Sequence, residues 1–231
     1  MPGSHGGRLT PRELLGTGRT ADVYALDDAW VLRRYRDGLD ARAEGAVMTY
    51  VRDHGYPAPR VRPDATLAAS DLVLERLDGP TQADAWRRGE VDPVDIGREL
   101  AHLLRELHAL PARAGGHVIH LDLHPENVIR TARGPVVIDW ATAEEGAPAL
   151  DWAMSALILA ETAVAPEWAA HAELLRVTLA ALLADPAPRV TDALAEARAR
   201  RTGNPTLDRA EKQRLGAAVE LVRRVLVETR G

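Results

Sequence analysis

The sequence predicts an α+β fold in two lobes, a small β-rich lobe over residues 1–77 and a larger helical lobe over 78–231. Three observations predict it. Short runs rich in β-branched and aromatic residues crowd the first third of the chain. Asp78-Gly79-Pro80 then breaks the pattern and marks a candidate hinge. Past that point the apolar residues recur mostly at helical spacing.

The elements follow in order. The first eight or so residues are Gly-rich and expected to be loose. Strands are expected over 22–26, 30–35 and 72–77. One helix interrupts them over 40–54, with Ala43, Val47, Met48 and Val51 on its apolar side, and Tyr56-Pro57-Ala58-Pro59 stops it. In the second lobe, 93–110 places Ile96, Leu100, Leu103, Leu104 and Leu107 on one helix face. Short strands are expected over 117–120, 128–129 and 136–138. Helices follow over 149–163, 167–183, 189–200 and 208–229. Leu215, Val219, Val222 and Leu226 form an apolar stripe on the last helix. The stripe suits packing on its own lobe or a weak homodimer seam, the former preferred.

Composition narrows the function. A 46% hydrophobic and 27% charged chain is ordinary for a globular protein with a sizeable core. A formal net charge of −5 argues against binding nucleic acid by broad phosphate neutralisation. Cysteine is absent, which removes disulfides, thiolate metal sites and cysteine nucleophiles. No apolar run reaches the length of a membrane span, and the N-terminus lacks the apolar segment of a signal peptide, so a cytoplasmic protein without a membrane partner is expected. Lys212 is the single lysine. A Gly-Lys-Ser/Thr phosphate loop is therefore impossible, and any side chain gripping a phosphate must be an arginine.

The densest chemistry lies in His120-Leu121-Asp122-Leu123-His124-Pro125-Glu126-Asn127, followed by Val136-Val137-Ile138-Asp139-Trp140. Phosphoryl transfer asks little covalent work of a protein. It needs the acceptor hydroxyl oriented and the phosphate charge neutralised. Asp122 is suited to take or orient the hydroxyl proton. Asn127 offers a neutral oxygen ligand, and Asp139, at the end of an apolar strand, a hard anionic one for Mg²⁺. Singly, Asp122 and Asn127 could be turn or cap residues; together with Asp139 they point to catalysis. His120 and His124 lack the helical spacing with an adjoining glutamate that a zinc site requires.

The pattern His120-x-Asp122-x-His124-Pro125-x-Asn127 with Ile138-Asp139-Trp140 resembles the aminoglycoside phosphotransferase and choline kinase-like family, small-molecule relatives of the protein kinases. The resemblance spans residues 14–151. It implies a two-lobed protein-kinase-like fold, ATP or GTP as donor, Mg²⁺ in the cleft and a small hydroxylated acceptor, either a metabolite or an antibiotic. It implies Asp122 as catalytic base, Asn127 and Asp139 as metal ligands, and His120 and Asp151 as braces of the loop. The segment from Glu75 to Leu77 would then join the lobes and meet the purine through its backbone. Leu15-Gly16-Thr17-Gly18-Arg19-Thr20-Ala21 resembles a phosphate-covering hairpin, with Gly16 and Gly18 letting backbone amides approach the phosphates. The third strand carries Arg33 where kinases usually have lysine, with Glu44 as the expected partner. Strand alternation puts Arg33 and Arg34 on opposite faces, so a slip of one residue would exchange them. Arg33 and Ala21 leave a second reading open, a nucleotide-binding pseudokinase acting as a regulatory partner.

Overall fold

The computed structural model describes residues 12–63, 68–114, 116–184 and 190–229. The Gly-rich start and the Arg189 end of one expected helix lie outside the described residues. Strands β1 (Leu14–Thr17), β2 (Ala21–Ala25), β3 (Trp30–Tyr35) and β4 (Asp71–Glu75) form one antiparallel sheet in sequence order. The register sets Val23 opposite Arg33 and Arg33 opposite Leu72. Residue alternation then fixes the faces. Leu32 joins Leu26 and Val73 in a small outer cluster, whereas Val31 and Tyr35 enter the main core, which places Arg33 on the inner side with them. Arg34 lies on the other side and pairs with Asp71 at 2.7 Å.

Helix α1 (Arg42–Asp53) packs beneath this sheet. Its buried residues are Glu44, Gly45, Met48 and Val51. Ala43, expected to face inward, is exposed, and Glu44 is buried in its stead. Two partners account for the exchange, Arg33 and the Tyr35 hydroxyl, which satisfy the carboxylate that α1 carries inside.

Past the sheet, a short helix not anticipated from sequence, α2 (Gln82–Arg87), is capped by Thr81, whose hydroxyl accepts from the Asp84 amide at 3.0 Å. Helix α3 (Pro93–Ala109) begins with Asp92 as cap and Pro93 in its first turn. Its expected face, from Ile96 to Leu107, is fully buried, at about 2 kcal/mol for each aliphatic side chain removed from water. Gly97 lets α5 (Ala172–Leu183) approach closely: a Cβ there would lie 2.3 Å from the Thr178 carbonyl oxygen. Strand β5 (His117–Ile119) pairs with β8 (Glu144–Gly146), and β6 (Val128–Thr131) with β7 (Gly134–Val137) as a hairpin. The expected helix over 167–183 is divided, with a 3₁₀ turn at Pro166–His171 before α5.

Helix α4 (Pro148–Ala163) is apolar on nearly every side because it runs through the middle of the helical lobe, against α5, α6 (Val190–Gly203) and α7 (Arg209–Glu228). A reciprocal cap between Asp208 and Glu211 starts α7. The stripe of Leu215, Val219, Val222 and Leu226 is buried within the chain itself. Among the described residues no single helix is long and apolar enough to cross a membrane.

Candidate active site

The loop after β5 is held from below by one carboxylate. Asp151, in the first turn of α4 and fully buried, accepts from the His120 amide at 2.9 Å and from the Leu121 amide at 2.7 Å. His108, at the end of α3, brings Nε2 within 2.9 Å of the same carboxylate. Its ring is largely withdrawn from solvent and is part of the brace. These bonds hold Leu121 at φ 65°, a left-handed conformation that a bulky residue rarely adopts without such restraint.

His120 then locks the loop to its neighbours. Its Nε2 donates to the Ile138 carbonyl at 3.1 Å, which leaves Nδ1 to accept from the Asp122 amide at 3.3 Å. The ring meets Trp140 edge-on at 4.7 Å, and Thr142 donates to the His120 carbonyl at 2.9 Å. Burial pushes the imidazole below its ordinary range, so it stays neutral, as this pairing of one donor with one acceptor requires.

Asp122 emerges from this brace into the cleft. Asn127 Nδ2 donates to its carbonyl at 2.8 Å and to its Oδ2 at 3.1 Å, while His124 Nε2 stands 3.7 Å from Oδ2. Burial works against the charge of Asp122, but the side-chain contact with His124 and the positive charge of Arg201 outweigh it. The carboxyl is thereby held below the usual carboxylate range. At neutral pH the group is a base.

The β6–β7 hairpin brings the second acid to the same place. Val128 pairs with Val137, and the Ile138 amide donates to the Asn127 carbonyl at 3.0 Å. The residues bracketing the hairpin, Asn127 and Asp139, are thus neighbours although twelve positions apart in sequence. Asp139 takes a left-handed conformation, φ 63°, that ends the strand and turns its side chain out, 39% exposed. With Asn127 Nδ2 committed to Asp122, the other polar atom of the Asn127 side chain is its acceptor oxygen.

Arg33 reaches this point from the sheet. One guanidinium nitrogen lies 2.9 Å from Glu44 Oε1 and another 2.6 Å from Asp139 Oδ1. The Tyr35 hydroxyl donates to Glu44 Oε2 at 2.6 Å. Burial opposes the arginine's charge, but Asp139 and Glu44 more than offset it. The same burial pushes the Glu44 carboxyl up, against the pull of Arg33 and Tyr35.

A cavity of about 1550 Å³ joins these groups, and Gly18, Arg33, Leu77, Asp122, Asn127 and Asp139 all line it. Gly16 sits back in β1, opposite Val23, while Gly18 donates to the Ala21 carbonyl at 2.9 Å and closes the hairpin turn. Glu75 ends β4, where Arg133 at 2.6 Å and Arg60 at 3.4 Å engage its carboxylate. That side chain is therefore taken up by the protein, and a ligand meeting this segment meets its backbone. Trp140 and Trp152 are core residues, whereas Trp86 and Trp168 are half-buried on the cleft wall. Sequence reasoning did not assign Arg201 or Arg19 to the site. Arg201 pairs across forty positions with Glu161, and Arg19 crosses from the β1–β2 turn to Glu211 of α7 at 2.9 Å. Contacts of that range leave no local pattern.

A sheet-covered cleft with a braced Asp–Asn loop and a second Asp after a hairpin sits in a two-lobed fold of protein-kinase-like architecture. The sequence itself carries the narrower assignment. The model of the phosphotransferase enzyme family APH matches residues 12–117 and 116–194, and the chain belongs to this family. It is a phosphotransferase whose acceptor group is a hydroxyl.

Solved structures of the same architecture include a choline/ethanolamine kinase family protein from Mesorhizobium loti, 18% identical with TM-score 0.62, covering 97% of this chain and 94% of that one. The gentamicin complex of APH(2")-IIa is 13% identical with TM-score 0.59, covering 91% and 92%. The thermostable mutant of aminoglycoside phosphotransferase APH(4)-Ia, in ternary complex with AMP-PNP and hygromycin B, is 13% identical with TM-score 0.53, covering 90% and 92%. No curated protein matches the sequence. At such identities the likeness carries the fold, and the acceptor must be argued from this chain's own residues.

Proposed function

We propose that the protein transfers the γ-phosphate of ATP or GTP to a hydroxyl of a small metabolite or antibiotic, with Asp122 as the base. The observation that carries this reading is the convergence of Asp122, Asn127, Asp139 and Arg33 on one cavity from three segments, the loop after β5, the end of the β6–β7 hairpin and strand β3. Asn127 offers a neutral oxygen and Asp139 an anionic one to the same cavity. Such a pair suits Mg²⁺, which binds through one or two protein groups and completes its shell with waters and phosphate oxygens. Magnesium held there would neutralise charge on the transferred phosphate. Arg33 serves as the phosphate-side cation, braced by Glu44. The β1–β2 hairpin, with Gly18 in its turn and Gly16 behind it in β1, covers the phosphates, and the backbone from Glu75 to Leu77 meets the base. Residues 1–77 and 78–231 act as the two lobes. The streptomycin–ATP ternary complex of the APH(2")-IIa neighbour supports ATP as the donor. Burial of the α7 stripe supports a monomer, and the composition supports a cytoplasmic protein.

The direct test is ADP release from Mg-ATP or Mg-GTP against a panel of hydroxylated compounds. Release that rises with an acceptor meets the expectation. An Mg-nucleotide that binds but is never consumed with any acceptor would favour the regulatory-partner reading. Arg33→Lys is expected to raise the nucleotide KM by about tenfold, because an ammonium keeps the charge but lacks the planar fork that reaches Glu44 and Asp139 together. An unchanged KM would reduce Arg33 to a simple charge.

A further inference from the structure

The half of the cleft across Asp122 from the sheet draws on α4, α6, α7 and the turn at Pro166–His171, and its carboxylates are already engaged by arginines. Glu161 of α4 is held by Arg201 of α6 through two bonds of 2.9 and 2.6 Å, both side chains being only 11% exposed. Glu144 pairs with Arg200 at 2.9 Å and Glu167 with Arg214 at 3.3 Å. Nearer the mouth, Glu126 pairs with Arg87 at 2.5 Å and Glu211 with Arg19 at 2.9 Å. Among the described residues, each of these five cleft carboxylates meets an arginine, with Arg200 also reaching Glu196 at 3.0 Å and Arg87 also reaching Asp84 at 2.8 Å.

A polycationic acceptor needs carboxylates to spare. Here its ammonium groups would have to displace guanidinium groups already bonded, or lie beside them as like charges. The Glu161–Arg201 pair is the least replaceable, being two-pronged and largely withdrawn from water. The positive charge of Arg201 also acts on Asp122, where the acceptor must come.

What such a wall does offer is paired donors and acceptors beside an aromatic surface. A hydroxyl can donate to a carboxylate oxygen and accept from the guanidinium next to it. Trp86 and Trp168 stand on the cleft wall with ring centroids 6.3 Å apart, and Arg87 lies 5.6 Å over the Trp168 ring. Ring faces of this kind pack against C–H surfaces.

We infer that the acceptor is an uncharged polyhydroxylated ring, its hydroxyls read by the Glu161–Arg201 and Glu144–Arg200 pairs and its C–H face set against the tryptophans. The inference rests on the phosphotransfer reading and narrows it.

The test compares amino sugars with their N-acetylated forms, which keep every hydroxyl and lose the charge. Glucosamine with N-acetylglucosamine, and kanamycin with its fully N-acetylated form, supply the pairs. The readout is kcat/KM for ADP release at saturating Mg-ATP, with Mg-ATP thermal stabilisation measured on the same samples. The uncharged member is expected to be preferred by about tenfold or more, since like-charge juxtaposition is costly. In Arg201→Gln the preference should narrow or reverse as Glu161 becomes free to take an amine. Because a lone buried carboxylate there threatens folding, Arg200→Gln, whose pair with Glu144 is half-exposed, provides a second reading in the same direction. Preference of the unaltered protein for the amine forms would overturn the inference. So would failure to use any member of either pair while Mg-ATP stabilisation is intact, which leaves the phosphotransfer reading standing. Absence of Mg-ATP stabilisation would remove both.

Discussion

Asp122→Asn is expected to lower turnover by roughly 10²- to 10⁴-fold, the usual scale for losing a general base, while nucleotide binding stays near that of the unaltered protein. The split follows from the geometry. Asp122 faces the cleft from a loop whose backbone is fixed independently of its carboxylate, by Asp151, His108 and the Ile138 carbonyl. An amide at position 122 can still meet Asn127 but cannot accept a proton. The pH profile carries the same signature. With Asp122 held below the ordinary carboxylate range, its basic form is fully present at neutral pH and is lost only as pH falls through that lowered value. An acid limb set by Asp122 should therefore lie below the normal 3.8 of an aspartate, provided the fold survives there. Turnover unchanged in the asparagine variant would take the base role away from Asp122.

Asp151→Ala is expected to destabilise the fold by about 3–5 kcal/mol, measured by denaturant unfolding, because it strips partners from buried groups in place of removing a matched pair. The His120 and Leu121 amides would each lose a bond of under 3 Å, as would the His108 ring. Leu121 would lose the restraint that keeps it left-handed, so the loop carrying Asp122 should relax and activity fall with stability. Asp151→Asn keeps one acceptor oxygen and should cost less. A loss of under about 1 kcal/mol in the alanine variant, below the cost of a single orphaned buried donor, would show that water or a rearranged loop replaces the carboxylate.

The site was legible where its residues lie close in sequence. Asp122, Asn127 and Asp139 could be singled out because one loop and one hairpin hold all three, and a strand–turn–strand pattern brings the ends of a hairpin together. Strands β2 to β4 and the long helices were legible for a similar reason, since their apolar periodicity is strong, whereas β1 is exposed along its whole length and carries no such pattern. Periodicity failed where burial is not apolar. On α1 it favoured Ala43 and overlooked Glu44, which is buried because Arg33 and Tyr35 meet it from β3. It also failed where an element is short. α2 spans six residues and rests on the Thr81 cap, and β8 reads Glu-Glu-Gly, with nothing to announce a strand until β5 lies beside it. The contacts His108–Asp151 and Arg201–Glu161 join residues forty or more apart. Only the packing of α3, α4 and α6 makes them neighbours, and no local rule carries that information.

Arg33 shows both sides of the boundary. The sequence offered two adjacent arginines on opposite faces of a strand. The choice between them follows from Val31 and Tyr35, which fill the core and carry Arg33 inward, while Arg34 is taken up by Asp71. Its bond to Asp139 ties the sheet directly to the second acid of the cleft.

Thermal melting of the purified protein with Mg-ATP, with Mg-GTP, with each nucleotide without Mg²⁺, and with Asp139→Asn under the same conditions tests the account most directly. A ligand at about a hundred times its dissociation constant should stabilise the fold by about 2.7 kcal/mol, a shift easily read. The account predicts a rise in Tm that needs Mg²⁺ and is lost in Asp139→Asn. A shift of equal size without Mg²⁺, or one that survives in Asp139→Asn, would contradict the assignment of Asp139 as metal ligand, and no shift with any nucleotide would contradict the proposed nucleotide cleft.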